Sequence, residues 1–83
     1  MERVAVISAI LETPEVCQHS FNDVVAEFKG IIRGRMGLPI PEAKISAVSI
    51  TVIGTVDEIN HLTGKLGTID GVTVKTSMSK TEL

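Results

Sequence analysis

Few side chains in this sequence have the types and spacing that chemistry at a site requires. There is one cysteine, Cys17, and there are two histidines, His19 and His61. Three such residues fall short of the four ligands of a structural zinc site, and a lone cysteine cannot form an intrachain disulfide. No carboxylate pair converges by spacing, so no acid–base pair is evident. We therefore predict no catalytic residue, no metal and no cofactor, and a protein that binds and is not an enzyme.

Cys17 has two interpretations. It falls near the start of a predicted helix, where a thiol at the positive helix end can be reactive. It also falls on an apolar helical stripe with Phe21, Val24 and Phe28, where it would simply fill the core. His19 is two residues away and points in another direction. We favour the core position.

Arg33 and Arg35 are the candidate binding residues that the sequence offers. They alternate on a predicted edge strand, so their side chains should share one face. Guanidinium groups bind carboxylates and phosphates through paired hydrogen bonds, which would suit a small anionic effector at a subunit boundary. The alternative is a charged edge that discourages strand pairing between molecules.

The overall charge and hydropathy exclude two classes of partner. The formal net charge is −2, which gives no electrostatic footprint for DNA or RNA. No apolar run approaches the roughly 18–20 residues of a membrane span. The opening residues carry an acid and no basic cluster, unlike a signal peptide. We expect a cytoplasmic protein.

The elements that position these residues follow from local patterns. Two turn signals are clear: Thr13 and Pro14 can begin a helix, and Thr55 with Glu58 fits a capping box. We expect strands at Arg3–Leu11, Ile31–Leu38 (an edge strand), Lys44–Ile53 and from Val72, helices at Thr13–Gly30 and Thr55–Leu66, and a polar tail at 79–83.

The predicted order contains an internal repeat. A strand followed by Thr13 and a helix is echoed 42 residues later by a strand, Thr55 and a second helix. This order, βαββαβ, is typical of the α+β ferredoxin-like split βαβ fold, with two helices on one face of a four-stranded antiparallel sheet. We expect one domain over residues 1–83. The other sheet face is open and apolar on its central strands, which favours a partner there.

The segment from Leu62 to Thr76, with its GKLG-x-I-x-GV-x-VKT pattern, resembles the closing helix, turn and strand of the iron-only hydrogenase system regulators. The opening strand, the RMGLP stretch after the first helix and the chain length are also similar to that family. The resemblance implies an ACT-like domain, related in shape to the ligand-sensing domain of nickel-responsive repressors. Members of those groups associate through their sheets and bind small effectors or metals near subunit contacts.

The resemblance also bears on the site. ACT-like domains commonly place effectors at the turn between the first strand and first helix, which adds Thr13 to the candidates. The sequence departs from the nickel sensors because it lacks their ribbon-helix-helix and has no histidine in residues 31–38. We therefore expect neither nickel binding nor direct contact with nucleic acid.

Two functions stay open at this point. The first is a regulatory module that forms a homodimer or homotetramer through the open sheet face and senses a small molecule or a partner protein. The alternative is a stand-alone ACT-type amino-acid-binding domain that regulates an enzyme in trans.

Overall fold

The computed structural model describes residues 1–83 and contains one sheet and two long helices. The elements are, in chain order, β1 (Glu2–Glu12), α1 (Pro14–Glu27), β2 (Ile32–Ile40), a short 3-10 turn (Pro41–Ala43), β3 (Ile45–Thr55), α2 (Val56–Gly67) and β4 (Val72–Glu82). The sheet order is β2-β3-β1-β4, and every neighbouring pair is antiparallel. This arrangement confirms the predicted ferredoxin-like fold, with β2 at one edge.

The core lies between the helices and one face of the sheet. Alternate residues of β1 and β3 face the helices, because successive strand side chains point to opposite sides. They meet an apolar stripe from each helix, with spacings of three and four residues. The main core residues are Ala5, Ile7, Ala9, Leu11, Val48, Ile50 and Val52 from the strands and Cys17, Phe21, Ile59, Leu62 and Leu66 from the helices.

The two helix starts differ, although the sequence pattern is similar. The Thr55 side chain accepts a hydrogen bond from the Glu58 amide (3.1 Å), and the Glu58 carboxylate accepts one from the Thr55 amide (2.8 Å). This confirms the predicted capping box. The expectation that Thr13 caps α1 is wrong, because Thr13 has a left-handed backbone (φ 54°) and its side chain makes no capping bond. It alone joins β1 to α1, so its backbone must make the whole turn.

Residues 79–82 continue β4, so the prediction of a polar tail is wrong. The register shifts there, since Ala5 pairs with Met78 whereas Arg3 pairs with Glu82. The Ser79 hydroxyl accepts a hydrogen bond from the Val4 amide (3.2 Å) inside this irregularity. The polar composition of residues 79–82 fits their position on an edge strand beside solvent.

The chain termini lie side by side on neighbouring strands. The Leu83 amide donates a hydrogen bond to the Glu2 carbonyl (2.8 Å), and Arg3 forms an ion pair with Glu82 (3.1 Å). Neither helix has the length and apolar character to cross a membrane.

Candidate functional site

Strand β2 separates two candidate binding surfaces. Arg35 and Gly37 pair with Ile50 and Val48, whose side chains are buried beneath the helices. Met36 and Leu38 alternate with them and therefore lie on the open side of the sheet. Each side of β2 borders a cavity.

The first cavity, which we name the Arg35 pocket, lies between α1 and the helix-facing side of β2. Its volume is about 200 Å³. Polar and apolar groups both line it: Leu11, Gln18, Arg35, Gly37, Pro39, Ser46 and Val48. No acidic side chain is among them.

The Arg35 side chain is held in place by two residues of α1. Its Nη2 donates a hydrogen bond to Asn22 Oδ1 at 2.6 Å. Its Cζ also lies 5.5 Å from the centroid of the buried Phe21 ring, which is a cation–π distance. Asn22 is neutral, and no ion pair in the structure involves Arg35. The guanidinium charge is therefore positioned but has no protein counter-ion.

The structure brings only one of the three predicted binding residues to this pocket. Arg33 does not line the pocket, and a β-bulge between Ile32 and Gly34 interrupts the alternation of β2 at Arg33. Ile32 pairs with Val52 and Gly34 with Thr51, which leaves Arg33 as the extra residue. Arg33 is exposed and makes no hydrogen bond or ion pair. A role for it in binding stays a prediction.

Thr13 lies at the corner that the resemblance indicated, close to the pocket but not in its lining. Its amide donates to the Lys44 carbonyl at 3.2 Å, where β3 is about to begin. Leu11, two residues earlier, does line the pocket. A role for the Thr13 side chain in binding also stays a prediction.

Sequence reasoning missed Gln18 and Gly37. Gln18 lies off the apolar stripe of α1, is exposed, and precedes Asn22 by one helical turn. That spacing could have indicated a polar site, since it places the side-chain amides of Gln18 and Asn22 on the same side of α1. Gly37 carried no signal, because its importance depends on which side of β2 it occupies.

The cysteine and the histidines do not converge on a site. Cys17 is buried, as favoured above, and its thiol lies 3.6 Å from the Glu12 carbonyl oxygen. His19 is on the surface, 3.3 Å from Asp23 one turn later. The His61 ring packs edge-on against Phe28, with 5.2 Å between centroids.

The second candidate surface is a groove on the open face of the sheet, which we name the open-face groove. Its volume is about 300 Å³. Small residues from β1 and β3 (Ser8, Ala47 and Ser49) lie between larger apolar ones from β1 and β2 (Ile10, Met36 and Leu38). Met36 is 72% exposed and Leu38 61%. The β4 side of this face is polar, with Thr73, Lys75 and Ser77.

Comparison with known families identifies the chain. Residues 3–76 match the TM1266-like family, which is described as an iron-only hydrogenase system regulator. The chain belongs to this family. The resemblance drawn from the sequence is thereby confirmed. No curated protein matches the sequence.

One solved structure supports this assignment, and others share the fold. The uncharacterized protein TM1266 from Thermotoga maritima is 30% identical and superposes with a TM-score of 0.92, over 96% of this chain and 100% of that one. The C-terminal domain of MgtC from Mycobacterium tuberculosis gives 0.73 at 13% identity, over 94% and 88% of the two chains. SnoaB, a cofactor-independent oxygenase from Streptomyces nogalater, gives 0.60 at 14%, over 100% and 96%. The last two share the fold alone.

Proposed function

We propose that this TM1266-like protein is a non-enzymatic regulatory module of the iron-only hydrogenase system and acts as a homo-oligomer. In this homodimer or homotetramer, copies pack their open sheet faces together in pairs. The observation that carries this proposal is the open-face groove, whose walls Met36 and Leu38 are largely exposed in one chain. Exposed apolar patches of this kind usually mark association surfaces.

A second copy is the occupant that the dimensions favour. The molecule measures 40 × 19 × 16 Å, so one broad side is close to the roughly 800 Å² per partner of a standard interface. Charge is also compatible with self-contact. Within the open-face groove no side chain is charged, and Lys75 lies on the polar β4 side, where it can remain at the rim.

Regulation through protein or ligand contacts suits this chain better than direct action on DNA. A protein that binds the phosphate backbone needs clustered basic residues, and this sequence has a net charge of −2. A fold shared with an oxygenase does not carry activity, because function depends on the site and not on the fold.

Light scattering across a dilution series tests the proposal. We expect the wild-type chain to be a dimer or tetramer, and the double variant Met36→Lys and Leu38→Lys to be monomeric, because two buried ammonium groups would oppose packing of the faces. The matched control is Val16→Lys, which alters an equally exposed apolar residue (75%) on α1. A monomeric wild type, or dissociation of the control, would contradict the proposal. Circular dichroism verifies that all three chains are folded.

A second function, ligand sensing of the ACT type in trans on an enzyme, is favoured by one observation. The Arg35 pocket is a cavity with a positioned charge, beside the strand–helix turn at Thr13. This function is compatible with self-association.

A further inference from the structure

We infer that the Arg35 pocket binds the carboxylate of a small monocarboxylic acid with an apolar chain and no α-ammonium group. This inference rests on the ligand-sensing function above and names its site and ligand class. It is independent of the open-face groove.

Arg35 has N–H donors that no protein atom accepts. A guanidinium group has five N–H donors, and the exposed Arg35 side chain makes one protein hydrogen bond, to the neutral Asn22, which leaves the other donors to solvent or to a ligand. The Phe21 ring lies near the group at 5.5 Å and fixes its position without using those donors. A planar donor fork held in this way matches the two oxygens of a carboxylate.

One arginine supplies one positive charge, which suits a monoanion. No acidic side chain lines the pocket, so an α-ammonium group would find no counter-ion there. An amino acid would therefore bind more weakly than the acid of the same carbon skeleton. The ligand expected for the Arg35 pocket therefore differs from the amino acid that the ACT comparison alone would imply.

The size and lining of the Arg35 pocket limit the ligands that it can hold. The pocket, at about 200 Å³, is below the range of roughly 300–1,000 Å³ typical of sites for drug-sized ligands. Leu11, Pro39 and Val48 offer an apolar wall, whereas Gln18 and Ser46 can hydrogen-bond an oxygen substituent. A short-chain acid, with or without an oxygen at the second carbon, fits both properties.

Gly37 provides a way to close the pocket without touching Arg35. A Cβ built at Gly37 meets no atom within 4 Å, and its backbone is not left-handed. The space it would occupy belongs to the pocket, which Gly37 lines. Gly37→Val should therefore fill the cavity while the strand stays intact. Gly34 is equally free of neighbours but lies opposite Thr51, on the open face, so Gly34→Val is a matched control.

Isothermal titration calorimetry at low ionic strength tests the inference, with butyrate as the probe. We expect butyrate to bind, and butyramide to bind at least about tenfold more weakly, since a charge-assisted hydrogen bond contributes more than a neutral one. We also expect 2-aminobutyrate and inorganic phosphate to bind at least about tenfold more weakly, because the first brings an ammonium group that finds no counter-ion and the second has no apolar chain to contact the apolar wall. Arg35→Gln and Gly37→Val should each weaken butyrate binding at least about tenfold. Gly34→Val should bind butyrate like the wild type.

Four results would overturn the inference. They are an absence of butyrate binding to the wild type, tighter binding of 2-aminobutyrate or phosphate, equal binding of butyramide, and unchanged butyrate binding in both pocket variants. Light scattering on the same samples reports the oligomeric state separately. A wild type that associates but ignores butyrate would overturn this inference and leave the association proposal standing, whereas a monomer that binds butyrate would do the reverse.

Discussion

Thr13 and Thr55 occupy equivalent places in the repeat, but only Thr55 caps the helix that follows it. Thr55 has an extended backbone and completes the capping box of α2 with Glu58. Thr13 has φ 54°, a conformation that β-branched residues rarely adopt, and its side chain caps nothing. Its backbone still contributes, because the Thr13 carbonyl accepts a hydrogen bond from the Val16 amide at 2.9 Å. The same residue type at equivalent positions of the repeat therefore contributes differently to stability.

This difference predicts unequal costs for the same substitution. Thr55→Ala should lower the free energy of unfolding by about 1 kcal/mol, the typical loss for a removed N-cap. Thr13→Ala should change it by less than about 0.5 kcal/mol, because no cap is lost, as for most surface changes. Urea unfolding followed by circular dichroism, at one protein concentration, measures both. Equal losses would show that Thr13 caps α1 in solution.

At the scale of elements, the pairing pattern and helix stripes were predictable, and local irregularities were not. Apolar alternation identified β1 and β3, and the box at Thr55 identified α2, because these features depend on neighbours in sequence. The bulge at Arg33 depends on how β2 registers against β3, which no local pattern encodes. The bulge breaks the strict alternation that the sequence suggests for β2, and only Arg35 of the two arginines lines the Arg35 pocket.

The end of β4 was missed for a related reason. Residues 79–82 are polar, and composition alone favoured a tail. They continue the strand because β1 extends as far as Glu2: Glu82 pairs with Arg3, and the Ser79 hydroxyl accepts a hydrogen bond from the Val4 amide inside the register shift. Gln18 and Gly37 were missed because the cavity is formed by four elements together, α1, β1, β2 and β3.

The turn into β4 allows a second stability prediction. Gly71 has φ 87°, and a Cβ there would lie 3.0 Å from the Glu12 carbonyl oxygen. The Gly71 carbonyl also accepts the Glu12 amide at 2.7 Å, which ties the ends of β1 and β4 together. Gly71→Ala should therefore destabilise the fold by about 1–2 kcal/mol, the cost of a left-handed alanine, with the close contact adding to it.

Gly64→Ala is the matched comparison for Gly71→Ala. Gly64 is exposed inside α2 and has no neighbour within 4 Å. Alanine there should stabilise the chain by roughly 0.5–1 kcal/mol, because it favours helix and restricts the unfolded state. Thermal and urea unfolding should place the two variants on opposite sides of the wild type. Two changes of the same sign would contradict the assigned backbone conformations.

At the scale of the whole molecule, the adjacent termini should allow the chain to be circularly permuted. Leu83 and Glu2 are joined by a hydrogen bond, so a short Gly-rich linker can join the chain ends. Opening the chain at Glu42, in the exposed 3-10 turn between β2 and β3, breaks no strand. Such a circular permutant should keep the sheet order, unfold cooperatively and associate like the wild type. A chain without a cooperative transition would contradict this expectation.

The same position of the chain ends determines how the protein can be attached to something else. Strand β1 runs from the termini to the Arg35 pocket, and the rise of about 3.4 Å per residue from Glu2 to Leu11 separates the two by roughly 30 Å. The open-face groove, lined by Ser8 and Ile10, also lies toward the far end of β1. A tether, an immobilising tag or a fused domain at either end would thus leave from one corner and keep both candidate surfaces unobstructed.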